Sequence, residues 1–353
     1  MIARRLPWLA ALWPLLPPLA ARGVQAVLLH GQRGVGKKSL ALDFAEALLC
    51  ASPRDDGRSC GRCEECRLTA AGSHPDLRWV LPQVLAERLL PQPQDDDQPA
   101  GEAPAEPADA EGKAPRASRE IRTEQVRALS DFLGIAAYRG GRRVVVLAPA
   151  EAMNSIAANT LLKMLEEPPP ATTFVLVSDA LDEVLSTIRS RCVLVQVPVP
   201  EAAQCVPWLA EQGVADPAAV LALASGAPLA ALAEAADEAI PPELSATLYR
   251  LLERGPALSA AQVAASVSRD PPVAACVRLM QCWAFDLMDY RARGAVRYHP
   301  QREASIRQLA ASARAEGLWH WSEALKGASA AREHPLNPRL VIESLLAGYI
   351  DVF

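Results

Sequence analysis

Four cysteines fall within seventeen residues, Cys50, Cys60, Cys63 and Cys66, in the spacing C-x9-C-x2-C-x2-C. Two-residue gaps let neighbouring thiolates turn toward one point. Four sulfurs at tetrahedral angles make a closed site with no open position for water. In a chain read as cytoplasmic, that pattern points to a metal rather than to disulfides, and the expected cofactor is one structural zinc. A reduced cluster without metal and a redox role are the alternatives. Cys192, Cys205, Cys276 and Cys282 are scattered and read as small core residues.

A second group of residues could hold phosphate. The run HGQRGVGKKSLAL (30–42) follows the apolar stretch Val24–Leu29 and has the layout of strand, glycine-rich turn and helix start. The phosphate-loop pattern asks for Gly, four residues, then Gly-Lys-Ser/Thr. Gly31, Gly36 and Lys37 comply, and Gly34 adds a flexible position, but Lys38 stands where a magnesium-binding hydroxyl belongs. Ser39 comes one residue late, which on a helix turns its side chain by about 100°. Hydrolysis also needs carboxylates at the end of a later strand. The strand RRVVVLAPA (142–150) ends in Ala148 and Pro149, with Glu151 displaced. Two catalytic parts are therefore missing. The candidate nucleotide residues Gly31, Gly34, Gly36, Lys37, Lys38 and Ser39 form a degenerate set, for which ATP binding and mere packing are both open and hydrolysis is not expected.

The elements that position these groups alternate. Strands are expected at 24–29, 76–82, 142–150, 172–178 and 192–198. Helices are expected at Ser39–Leu49, from Thr123 (as N-cap) to Leu133, at 154–167 before Pro168–Pro170, and around Asp182–Arg189. That order implies a parallel α/β sheet, followed from about residue 200 by an all-helical region. Residues 91–117 hold seven acids, two bases and six prolines, and read as a disordered acidic loop whose deletion leaves stability nearly unchanged. The formal net charge of the chain is −5, all of it accounted for by that loop, so a protein that simply coats nucleic acid is excluded. The N-terminus has two arginines, an apolar stretch and small residues at Ala20–Ala21, like an export signal. Pro7, Pro14, Pro17 and Pro18 interrupt it, and no run reaches the roughly 20 apolar residues that span a bilayer. The expectation is a soluble cytoplasmic protein without a membrane partner.

NTLLKMLEEPPPATTFVLVSDALDEVLSTIRSRC (159–192), the degenerate loop, the four cysteines and GSHPDL (72–77) together resemble the delta-prime subunits of bacterial DNA polymerase III clamp loaders, within the AAA+ group. The likeness is weaker in the helical C-terminus, where NPRLVIESLLAGYI (337–350) fits best. The resemblance implies an AAA+ α/β domain over 1–178 with a zinc module at 50–66, a small helical lid over 179–235 and a helical collar for ring assembly over 236–353. It implies tau/gamma and delta subunits as partners, with the sliding clamp and primer-template DNA reached through the complex. It also implies that Arg191 is an arginine finger given to a neighbouring ATPase subunit, with Arg189 the residue most easily confused with it. ATP-hydrolysing relatives carry a sensing arginine near the lid glycine, where this chain has Gly226, Ala227 and Pro228. Glu166 and Glu167 end a helix where its dipole disfavours acids, and are either held by basic partners or simply solvated. The rival readings are an ATP-hydrolysing motor subunit of the same loader, a zinc-dependent DNA-binding protein and a small-molecule kinase. Lys38, Ala148 and Pro149 oppose the first. The mixed charges between the cysteines oppose the second, and the missing catalytic acid opposes the third.

Overall fold

The computed structural model describes residues 5–89, 118–135, 137–138, 141–214, 216–236, 241–268, 271–330 and 337–353. The acidic stretch 91–117 lies outside them. The chain divides into two compact units, Met1–Val199 and Pro200–Phe353.

The first unit is built on five parallel strands: β1 (Ala26–His30), β2 (Leu77–Val80), β3 (Arg143–Leu147), β4 (Thr172–Ser178) and β5 (Val193–Gln196). Their order across the sheet is β2-β3-β4-β1-β5. The central strands read as continuous apolar runs because both faces are covered. Leu28, Val145, Leu147, Phe174 and Leu176 join one core with Val126 and Leu129 of α5 (Thr123–Gly134) and Leu161 and Leu165 of α6 (Ser155–Glu166). The two-residue period turns Val27, Leu29, Val144, Val146, Val175 and Val177 to the other face, where they are equally buried. There α2 (Lys37–Leu49) packs on β3 and β4.

Several boundaries differ from expectation. Helix α2 starts at Lys37, before Ser39, because Gly36 itself caps it in the left-handed region. Thr123 is the first residue of α5 rather than its N-cap; Arg122 takes that place, and its N–H donates to the Gln125 side chain at 2.9 Å. The helix expected over 182–189 splits into a 3-10 turn, Leu181–Glu183, and one α-turn, α7 (Ser186–Arg189). The first unit extends past residue 178 to Val199, because β5 pairs in register with β1.

The second unit is helical. Helices α8 (Ala202–Glu211), α9 (Pro217–Leu223) and α10 (Pro228–Ala236) pack on one another. A larger core joins α11 (Pro242–Leu252), α12 (Ala260–Ser266), α13 (Val273–Arg293), α14 (Glu303–Ser312), α15 (Ala315–Ala330) and α16 (Pro338–Ile350). Trp283, Trp321 and Tyr349 fill its centre, and Tyr349 Oη donates to the Leu252 carbonyl at 2.8 Å. Asp286 and His299 are completely buried there. The carboxylate accepts from the backbone N–H of Arg297, Tyr298 and His299, and meets His299 Nδ1 at 2.7 Å. Among the described residues no helix is long and apolar enough to cross a membrane.

Candidate functional site

The cysteine module grows out of the phosphate-loop helix. α2 ends at Leu49, Cys50 turns into extended backbone, and Cys63 is the N-cap of α3 (Glu64–Ala71), which carries Cys66 in its first turn. The four sulfurs lie within 4.8 Å of one another. Cys50 and Cys63 are 3.8 Å apart, Cys60 and Cys66 4.0 Å, and Cys63 and Cys66 3.4 Å. Tetrahedral ligands at a metal–sulfur distance of about 2.3 Å would stand about 3.8 Å apart, so the cluster has the size of a tetrathiolate site. Backbone N–H groups of Arg62 and Cys63 point at Cys60 Sγ, at 3.5 and 3.3 Å. Those N–H donors bring the Cys60 thiol down to about 6, whereas burial pushes Cys50 and Cys66 up. A cation would favour the thiolate form of all four.

The phosphate loop keeps its backbone shape. Gly31 runs so close to β5 that a Cβ would stand 2.3 Å from the Val197 carbonyl oxygen. Gly36 holds φ +102°, and a Cβ there would meet Leu6 Cδ1 at 2.6 Å and Leu9 Cδ1 at 3.1 Å. The N-terminal segment thus lies directly on the loop, and Trp8 Nε1 donates to the Val35 carbonyl at 2.8 Å. The same segment reaches the cysteine module, where Trp13 Nε1 donates to the Asp56 carbonyl at 2.8 Å and the Arg58 guanidinium lies over the Trp13 ring.

Lys37 is spent inside the protein. Its ammonium has three hydrogens. The carbonyls of Gly31 and Gln32 accept from it at 2.7 and 2.6 Å, and Asp179 Oδ1 lies at 2.6 Å. The Lys37 side chain is 2% exposed and that of Asp179 25%, so the ammonium is buried while the carboxylate still reaches solvent. Lys38 stands beside it, its pKa lowered chiefly by burial; Asp179 and Glu151 favour its charge, while Arg33 and Lys37 oppose it. Ser39 is buried in α2. β3 ends at Leu147 and runs into buried Ala148 without a carboxylate; Glu151, in the turn beyond, accepts the Asp179 N–H at 2.9 Å. The loop glycines, Lys37 and Lys38 therefore come together with Asp179 and Glu151. Asp179 was not singled out by the sequence reading. Its signal was its place just past β4, at the carboxyl edge of the sheet where such folds gather their polar groups.

Arg191 lies at the other edge. Its backbone N–H donates to Ile188 O at 3.1 Å, continuing the turn of α7, and Ile188 is fully buried below it. Nη1 donates to Thr187 O at 3.0 Å and to Ser190 Oγ at 3.4 Å, and Nη2 meets Glu166 Oε1 at 2.5 Å. Glu166 is thus held by a base, as one of the two readings had it. Arg189 instead reaches Asp182 at 3.8 Å. Because β1 and β5 are parallel, with Val27 beside Val193 and His30 beside Gln196, Arg191 precedes the strand and the phosphate loop follows it. The strand between Arg191 and Val197, Val193–Gln196, spans about 13 Å at roughly 3.3 Å per residue.

After Gly226, Ala227 is completely buried and Pro228 begins α10. Arg278 of α13 donates to Leu223 O at 3.0 Å, at the end of α9, and Ser225 Oγ and Tyr298 Oη are 3.3 Å apart.

The family described as DNA polymerase III, delta subunit, matches residues 20–201, just over half of the chain. The DNA polymerase III subunit delta' of Pseudomonas aeruginosa is 42% identical over 229 residues, covering 64% of this chain and 60% of that protein. Its namesake from Yersinia pestis is 37% identical over 235 residues (64% and 59%), and that from Escherichia coli K12 is 31% identical over 217 (61% and 55%). The chain matches about three fifths of the length of these relatives or slightly less. A DNA polymerase III gamma subunit-related protein from Thermotoga maritima aligns with 96% of this chain and 99% of its own, at 16% identity and a TM-score of 0.43.

Proposed function

The chain belongs to the DNA polymerase III delta-subunit family, and on that premise we propose that it is the delta-prime subunit of a cytoplasmic clamp loader, working without hydrolysing ATP itself. Its partners are the tau/gamma and delta subunits, and through them the sliding clamp and primer-template DNA. Together they load the clamp during replication.

The observation that carries this reading is the separation of Arg191 from the chain's own phosphate loop by the length of β5. An arginine at the amino edge of the sheet cannot reach a nucleotide cradled at the carboxyl edge. A phosphate that it meets belongs to another chain. There a fixed guanidinium neutralises charge building on a transferring phosphoryl group. The chain's own loop supports the complementary half of the proposal. Lys37 is committed to Gly31, Gln32 and Asp179, Lys38 replaces the magnesium-binding hydroxyl, and β3 ends without an acid. The loop serves as packing for the N-terminal segment. Zinc held by Cys50, Cys60, Cys63 and Cys66 supplies a closed structural centre with no position for a reacting water.

Two measurements test the proposal. The purified chain is expected to show no magnesium-dependent ATP turnover above background, and to co-purify with tau/gamma and delta when the three are expressed together. Turnover by the chain alone would favour the motor-subunit reading instead, and failure to co-purify would remove the loader assignment.

A further inference from the structure

We infer that Glu166 is a positioning residue for Arg191: it sets the plane of the guanidinium before a nucleotide site on another subunit meets it. The inference rests on the trans-acting role proposed for Arg191.

The two residues come from different elements. Arg191 sits on the turn after α7, and Glu166 is the last residue of α6. Thr187 O and Ser190 Oγ belong to the arginine's own turn and engage Nη1 alone. They leave the planar fork free to swing about that contact. Glu166 Oε1 engages Nη2 from a second direction, 2.5 Å away, and two directions define a plane. Both supports are rigid. Leu165, beside Glu166, and Ile188, at the turn, are buried in the same apolar core. A third feature is helix polarity. A carboxylate at a helix C-terminus is disfavoured by the helix dipole, so Glu166 gains from a cation at that position.

The pair is also exposed enough to be exchanged. The Arg191 side chain is 35% exposed and that of Glu166 49%. Ion pairs of this kind are weak and screened by salt. Nε–H and the second Nη2 hydrogen have no acceptor among the described residues. An arriving polyphosphate, carrying several charges, can take those hydrogens from a fork already oriented. Arginine is suited to this because its donors keep a fixed geometry, which an ammonium lacks.

The test uses the reconstituted loader with full-length chains, after gel filtration has shown that each variant assembles equally. Glu166→Ala is expected to lower ATP turnover at saturating ATP by about two- to five-fold, the range that an exposed ion pair's geometry is worth, with KM for ATP unchanged. Glu166→Gln keeps an acceptor oxygen and is expected to recover most of the loss. In an Arg191→Ala background, Glu166→Ala is expected to have no further effect, since there is no guanidinium left to orient. If Arg191→Ala lowers turnover while Glu166→Ala does not, the positioning role is wrong and the finger stands. An equal fall from Glu166→Ala in both backgrounds would show a role in folding or assembly and would also overturn it. If Arg191→Ala itself changes nothing, the finger reading fails and this inference fails with it.

Discussion

Lys37 holds the shape of the glycine-rich loop through contacts inside the protein. Three oxygens surround its ammonium, and one of them, from Asp179, carries a charge. Removing the ammonium takes the donor from the Gly31 and Gln32 carbonyls and from Asp179, and hydrogen bonds to charged groups are worth about 1.5–3 kcal/mol each in proteins. Lys37→Ala should therefore destabilise the chain by about 2 kcal/mol or more, read as a fall in the denaturant midpoint. An unchanged midpoint would mean that the lysine is loosely held and open to a ligand. Lys38→Thr should not create ATP turnover, because Ala148 still follows β3 where a carboxylate is needed. The missing hydroxyl and missing acids were readable from residue types alone, since they are absences at fixed spacing. Asp179 was not, because its partner lies far away in sequence and only the adjacency of β4 and β1 brings the two together.

At the scale of elements, the cysteine module and the phosphate loop are tied twice: once through α2, which starts at Lys37 and ends beside Cys50, and once through the N-terminal segment, with Trp8 on Val35 and Trp13 on Asp56. One zinc per chain should be found by elemental analysis of the reduced protein. A chelator that removes it should lower the melting temperature and loosen residues 50–66 first, as seen by amide exchange, with slower loosening at residues 6–17. Cys63→Ser should act in the same direction while the sheet stays folded. A reduced, well-folded protein with no metal would contradict the zinc reading. Cysteine spacing made the cluster legible because chelation is local. The role of the N-terminal segment was hidden behind its likeness to an export signal. The apolar residues that suggested a signal, Trp8, Leu9 and Trp13, are instead buried against the loop and the module. The three central strands were legible as uninterrupted apolar runs because both of their faces are covered, whereas the edge strands β2 and β5 are partly exposed. The one-turn helix α7 and the start of α5 were not legible, because a single turn has too little periodicity to mark its ends.

Across the whole molecule, the division of labour follows the two units. The first carries the sheet, the cysteines and Arg191, and the second carries a large helical core centred on Trp283, Trp321 and Tyr349. The boundary expected at 178 moved to 199 because β5 is the edge strand, and its pairing with β1 cannot be read from sequence. That same pairing sets Arg191 apart from the chain's own loop, and the proposed role of Arg191 is intermolecular for that reason. Steady-state ATP hydrolysis by the reconstituted loader, with either the native chain or Arg191→Ala, tests this most directly. The account predicts equal assembly of the two complexes, a lower rate for the variant with partial activity left from the other sites, poor rescue by Arg191→Lys and a smaller effect from Arg189→Ala. An assembled Arg191→Ala loader that hydrolysed ATP at the native rate would contradict it.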